Sequence, residues 1–245
     1  GAAVTLRFTE ASIQHAPEAG PGGALRIMSM DEAGEDALGK ARALHGAQAL
    51  RCDRGMWDFL KLLRTEYAEP FAVLRGEEPV GYLADQENYL CEFACADGVD
   101  PAAAVSAFMR HKSAKDAQLV MPLHTLHREA RLMAAADSWH IGPSFMARVL
   151  DWQAFLSALL RHAAATRTLR EGEALLGIRG HGSYRLRVSG NGAEVEAVKT
   201  PAEFTLDARD AVAMLTLPLG NAMHPGNPLR DWLPLPFYMS ELDSF

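Results

Sequence analysis

Residues Pro79–Lys112 read PVGYLADQENYLCEFACADGVDPAAAVSAFMRHK, and this stretch decides the fold class. PVGYLADQ and NYLCEFACA are short runs rich in Val, Tyr, Leu, Phe and Cys, the composition of pleated, buried strands. The helix that follows is marked at its start by Asp100 as N-cap and Pro101 at the first helical position, where a missing N–H costs nothing. Upstream, PFAVLRG adds a strand that turns into the first run between Arg75 and Pro79. Antiparallel strands that feed a helix indicate an α+β fold.

Working outward, ALRIMSMDEAGEDALGKARALHG reads as a strand and then a helix: Ser29 and Glu32 form a capping-box pair, and Ala37, Leu38, Ala41 and Leu44 form one apolar stripe. A second helix is expected around RGMWDFLKLL. Downstream, AQLVMPL reads as a strand, TLHREARLMAAAD as a helix and GPSFMARVL as a strand. At the other end, AVTLRFTEASI reads as a strand, followed by the Pro/Gly link APEAGPGG. After Leu150 comes an amphipathic helix, DWQAFLSALLRHA, then the strands EALLGIRG, SYRLRVSG and AEVEAVKT. The Gly190–Asn191–Gly192 turn closes the last two as a hairpin. AEFTLD is a further strand candidate, and Asp207 is expected to cap the helix ARDAVAMLTLPLG. The expected divisions are 1–23 for a strand and linker, 24–150 for a first lobe and 151–245 for a second, with a tail.

The chain has 245 residues, 49% of them hydrophobic and 22% charged, which is a globular composition with enough length for a large core. The net charge of −7 argues against a nucleic-acid surface and favours a cationic partner. No apolar run reaches the ~20 residues that span a bilayer and no signal segment opens the sequence, so a cytoplasmic address is expected. Cys52, Cys91 and Cys95 are an odd set and read as buried, inert thiols; Cys91 and Cys95 are expected on one strand face, too far apart to share a metal. Gly1 stands where an initiator Met is absent, which suggests a piece of something longer. The end is the anomaly: LPLPFYMSELDSF places Phe237, Tyr238, Met239, Leu242 and Phe245 where chain ends are usually polar.

RGMWDFL, PVGYLADQ, SFMARVLDWQAFL at the junction, a small α+β lobe and a terminal Phe together resemble the multidomain GNAT acetyltransferases of the enhanced-intracellular-survival type. Those proteins have a catalytic GNAT lobe, a second, degenerate GNAT lobe and a sterol-carrier-like lobe. Residues 24–245 resemble the second and third, with Met146, Arg148, Asp151 and Phe245 carrying most of the likeness. The resemblance implies that residues 24–150 form a degenerate GNAT-like domain with a mixed sheet, that 151–245 form a sterol-carrier-like domain, and that the chain is the C-terminal part of an N-acetyltransferase acting on an aminoglycoside- or lysine-like amine. It also implies a catalytic role for the Phe245 carboxylate, with Asp243 and Glu241 drawing a cationic amine.

A GNAT lobe holds the acetyl-CoA pyrophosphate on a Gln/Arg-x-x-Gly-x-Gly/Ala loop with open backbone N–H groups. Here the same place reads CADGVDPAAAV, with one Gly, the carboxylates Asp97 and Asp100, and Pro101. Two anions would repel a pyrophosphate, so acetyl-CoA is expected to bind the parent protein and not this lobe. The implied partners are the small-molecule amine, a missing N-terminal GNAT lobe and further copies of the chain as a homo-oligomer, with no nucleic acid and no membrane. An alternative is a non-enzymatic carrier whose second lobe holds an apolar ligand among Leu175, Ile178, Leu186, Val188, Phe204, Leu206, Val212 and Leu215; another is a scaffold pair of lobes. His124 and His127 have metal-compatible spacing, but nothing near them in sequence completes a site, and no metal is expected.

Overall fold

In the hairpin at the heart of the first lobe, β5 (Glu78–Gln86) turns into β6 (Tyr89–Cys95) through Glu87 and Asn88, both at positive φ (54° and 70°). The Asp85 carboxylate steadies this turn by accepting the Asn88 N–H at 2.7 Å. The two strands pair antiparallel with one irregularity: Ala84 faces Glu92 while the next residue, Asp85, faces Leu90. Cys91 is therefore an extra residue, a β-bulge whose thiol donates to the Ala84 carbonyl at 3.3 Å.

The computed structural model describes residues 2–14, 19–20, 23–48, 52, 54, 58–122, 130–143, 148–217, 224–233 and 235. The chain divides into two compact units, whose described parts run from Ala3 to residue 143 and from residue 148 to 235. In the first unit the strands are β1 (Ala2–Thr9), β2 (Ala19–Gly20), β3 (Gly23–Ser29), β4 (Glu69–Arg75), β5, β6, β7 (Asp116–Pro122) and β8 (Ser138–Pro143). They form one mixed sheet in the order β2-β3-β4-β5-β6-β7-β1-β8. β6 and β7 pair in parallel, through Tyr89–Gln118 and Leu90–Leu119, and their ladder stops beside the Cys91 bulge. β1 pairs antiparallel with β7 from Ala3–Pro122 to Thr9–Asp116.

Helices cover both faces. α2 (Met30–Gly46) and α3 (Phe59–Leu63) lie with Met30, Leu38, Phe59 and Leu63 against Ala72, Tyr82 and Cys91. On the other face, α4 (Pro101–Lys112) is buried from Pro101 to Met109, with Phe108 against Phe71, and α5 (Ala130–Ala135) adds Leu132. A helix apolar all round belongs inside a core, and the Ala-rich sequence of α4 lets neighbours approach closely.

The second unit has a four-stranded sheet in the order β11-β10-β9-β12: β9 (Gly172–Ile178), β10 (Gly182–Ser189), β11 (Gly192–Val198) and β12 (Thr205–Leu206). α6 (Trp152–Thr166) and α7 (Ala208–Thr216) contribute Trp152, Leu156, Leu160, Met214 and Leu215 to its core, where Leu176, Leu186 and Val188 meet them. On the opposite face Arg185 sits beside Glu196 and Glu173, at 2.8 and 3.0 Å, and Arg187 beside Glu173. No helix among the described residues is long and apolar enough to cross a membrane.

The α+β expectation holds, with several local corrections. AVTLRFTEASI is strand only to Thr9; Thr9 then caps a short helix, α1 (Glu10–Ile13). Of the strand expected in GPSFMARVL, Gly142 and Pro143 end β8, residues 144–147 lie outside the described residues, and Arg148–Leu150 are not strand. β12 is two residues long. Asp207 makes no side-chain capping bond to α7; its carboxylate pairs with Arg179 at 3.0 Å instead. Cys91 and Cys95 do not share a face: Cys91 packs with α2 and Cys95 against the α4 side, since the bulge reverses the alternation between them.

Gly81 is a close-approach position in β5, where a methyl group would come within 2.9 Å of the Ala94 carbonyl oxygen and of the Cys95 sulfur. Gly81→Ala should lower stability by about 1–3 kcal/mol in urea unfolding; an unchanged midpoint would show that the β5–β6 contact is looser than described.

Candidate functional site

α2, Arg54 and the start of α3 lie over β5 and β6 on the bulged side of the sheet. The bulge turns Glu92 to the same face as Tyr82, and there the carboxylate is 7% exposed. Arg54, also buried, donates from Nη1 to Oε1 at 2.9 Å and from Nη2 to Oε2 at 2.7 Å, a two-pronged fit that Lys could not reproduce. The Tyr82 hydroxyl donates to Oε1 at 2.6 Å, and His45 Nδ1 stands 3.6 Å from the same oxygen while its Nε2 lies 3.0 Å from the Cys52 carbonyl oxygen. Phe59 closes the cluster: the Arg54 guanidinium lies over its ring at 5.5 Å, and His45 and Tyr82 meet it edge to face.

Burial alone would push the Glu92 carboxyl up, but contact with His45, the Arg54 hydrogen bonds and charge, and the Tyr82 hydroxyl outweigh it and hold the group at about 2. A carboxylate that acidic is a poor proton acceptor at neutral pH. The cluster is chemically suited to clamping His45, Arg54 and Phe59 onto the sheet, not to general-base work. A second buried carboxylate, Asp85, behaves oppositely: burial raises its pKa, only partly offset by Lys112 at 3.2 Å and the Asn88 N–H.

The loop between β6 and α4 holds the CADGVDPAAAV stretch that stands in place of a phosphate-binding loop. Gly98 takes φ +81°, and its carbonyl accepts from Arg75 at 3.1 Å. Asp100 is buried; Oδ1 accepts the Ala102 N–H at 3.0 Å and Oδ2 lies 3.2 Å from Arg131. The start of α4 thus offers Pro101 without a donor, Ala102 with its donor bound internally, and a buried Ala103. A pyrophosphate needs open N–H groups and no fixed anion. This donor set does not suit one.

The residues expected to act, Phe245, Asp243 and Glu241, lie outside the described residues, as do His124, His127 and Met146. Arg148 and Asp151 are described, and Asp151 caps α6 through the Ala154 N–H at 2.9 Å. Among the described residues no His/Cys/Asp/Glu group could hold a metal. The His181 ring lies 5.9 Å from that of Trp152, tilted by 54°. Of the apolar set expected to line a cavity, Ile178, Leu186, Val188 and Leu215 belong to the buried core, Phe204, Leu206 and Val212 flank it, and Leu175 is partly exposed. Sequence reading missed the Glu92–Arg54 pair. The available signal was a Glu inside the apolar run LCEFA, which cannot be buried without a cation.

A carboxyl whose pKa falls on folding binds its proton more weakly in the native state, so it adds stability above its ordinary value of 4.5 and loses it as pH falls toward 2. Melting temperature should drop through that window, with a contribution on the order of 3 kcal/mol from this one group. Glu92→Gln should cost about 3–5 kcal/mol at pH 7 by leaving Arg54 buried without its counter-ion, and should flatten the acid limb. A variant as stable as the parent, with the same acid limb, would remove the clamp from the account.

No protein-family model matches the sequence, and none of the curated proteins matches it. Solved structures do. A GCN5-related N-acetyltransferase from Kribbella flavida matches with a TM-score of 0.56 at 16% identity, over 100% of this chain and 65% of that one. A probable N-acyltransferase of unknown function from Enterococcus faecalis matches with a TM-score of 0.56 at 15% identity, over 87% and 56%. Eis1 from Mycobacterium abscessus matches with 0.51 at 14%, over 98% and 66%. The chain thus spans less than two thirds of the first two structures, and at these identities the likeness establishes a fold of the GCN5-related N-acetyltransferase kind.

Proposed function

We propose that this chain is the C-terminal part of a longer N-acyltransferase that moves acetyl from acetyl-CoA to an amine, aminoglycoside- or lysine-like. The supporting observation is coverage: the whole chain aligns within GCN5-related N-acetyltransferase folds about half again as long. A preceding GNAT lobe would carry the cofactor. The self-satisfied start of α4 favours that division of labour, because Asp100 already occupies the N–H group that a phosphate would claim. In this reading residues 24–150 are the degenerate GNAT-like lobe and 151–245 the sterol-carrier-like one.

The tail is the chemical contribution. Phe237, Tyr238, Leu242 and Phe245 would bury their side chains in the partner lobe, each worth about 1.5–3 kcal/mol, and so hold one carboxylate beside the substrate amine. An α-carboxylate ordinarily titrates near ~3.5, and desolvation in an apolar cleft raises it toward useful basicity. Asp243 and Glu241 would add a field that attracts the cationic amine.

Two measurements test this. Calorimetry with acetyl-CoA on the chain itself should give no heat of binding; micromolar affinity would overturn the assignment of the cofactor to another lobe. In the longer protein, deleting Phe245 should lower kcat for acetyl transfer by roughly 10²–10⁴-fold with acetyl-CoA affinity unchanged, and an unaltered kcat would remove the carboxylate from the mechanism.

A further inference from the structure

Asp85 lies near the end of β5 with its side chain 1% exposed, and three other elements meet on it. Its Oδ1 accepts the Asn88 N–H of the β5–β6 turn, and its Oδ2 stands 3.2 Å from Lys112 Nζ in the last turn of α4. The same ammonium donates to Glu69 Oε2 of β4 at 2.9 Å and lies over the Phe71 ring at 5.3 Å. Glu69 and Asp85 are register partners on adjacent strands, so two carboxylates share one cation. Among the described residues, Lys112 of α4 and Glu69 of β4 are the charged groups facing Asp85. β6 sets Leu90 opposite it, His111 of α4 turns its ring to Phe71, and Arg110 bonds Ser106.

Two carboxylates and one ammonium leave one negative charge uncompensated, and the buried carboxylate is the one that water cannot stabilise. A proton on Asp85 leaves Lys112 and Glu69 as a balanced pair. We propose that Asp85 is a proton-operated latch: ionised, it ties the last turn of α4 to the sheet, and on taking up a proton it hands Lys112 to Glu69 and loosens the chain entering β7. The proton comes from solvent and settles on Oδ2, replacing the ion pair there. Oδ1 still accepts the Asn88 N–H, and the Asn88 carbonyl accepts the Gln118 N–H of β7 at 2.8 Å, so the hairpin turn is kept. What loosens is the helix end, where Ser113 at φ 51° and Ala114 fold back on the Arg110 and Met109 carbonyls at 3.2 and 2.9 Å. The remaining Lys112–Glu69 pair is half in water, since the Glu69 side chain is 64% exposed, and such pairs hold little.

Burial raises the Asp85 pKa above its ordinary 3.8; Lys112 and the Asn88 N–H oppose the rise and Glu69 adds to it. The folded chain therefore binds this proton more tightly than the unfolded one. Ionised Asp85 costs stability above its folded pKa, and that cost is relieved as pH falls through it toward 3.8. Glu92 has the opposite sign and acts below 4.5, so the two effects separate by pH. The inference is independent of the acyl-transfer reading.

In the intact chain, carbon-13 NMR of the Asp85 carboxyl should show a transition above 3.8. Hydrogen exchange, corrected for intrinsic rates, should show Ser113 and Ala114 losing roughly tenfold in protection through the same transition, while Gln118 keeps its own. Asp85→Asn should show the loosened Ser113 and Ala114 amides already at pH 7, with a melt no lower than the parent's. Glu69→Gln, at an exposed side chain, removes the competing carboxylate and should move the Asp85 transition to lower pH; it carries the test if Asp85→Asn does not fold. An Asp85 transition at or below 3.8, or helix-end protection that ignores it, would overturn the latch. So would an Asp85→Asn protein whose Ser113 and Ala114 amides stay as protected at pH 7 as the parent's.

Discussion

A carboxylate removed from water must have its counter-charge in place, and in this protein that requirement ties the first lobe together. Glu92 lies inside the sheet's helical face because the Cys91 bulge turns it there. His45 from the end of α2, Arg54 from the link to α3, Phe59 from the start of α3 and Tyr82 from β5 then converge on it. None of these contacts would be worth much on the surface, where water competes. Buried, they are mutually obligatory, and they fix Arg54 and Phe59 against the sheet.

The same bulge marks where β6 stops pairing with β7. One extra residue thus does two things: it aims a charged side chain and it ends a parallel ladder. Just beyond, the chain enters α4 through Asp100, whose two oxygens are engaged by Ala102 and Arg131. A fold that in its relatives by structure carries the name N-acetyltransferase is here closed at the helix start by its own side chain. Fold and chemistry are separable, because the sheet depends on backbone pairing and apolar burial while anion binding depends on a few free N–H groups.

The second lobe is simpler. Tyr184, Leu186 and Val188 alternate with Arg185 and Arg187 along β10, so one face is core and the other is a lattice of Arg–Glu pairs. Arg167 and Arg170 are used locally: Arg167 donates to the Trp232 carbonyl and Arg170 stands 3.8 Å from Asp231.

The sequence by itself determined what local chemistry determines. Asp100 and Pro101 start α4, Gly190–Asn191–Gly192 turns β10 into β11, and Ala37, Leu38 and Ala41 form the buried stripe of α2. The Asp100 cap within CADGVDPAAAV was legible for the same reason, since a capping carboxylate sits within two residues of the N–H it occupies. Only the tertiary structure decided that β1 lies between β7 and β8, that Cys91 and Cys95 part to opposite faces, and that Arg54 answers Glu92 across thirty-eight positions of chain. Sequence spacing carries information over a turn or a hairpin, where geometry is fixed by a few dihedral angles. Which distant cation reaches a buried carboxylate, and which strand fills a gap in a sheet, is set by packing of the whole lobe, and no local pattern encodes it.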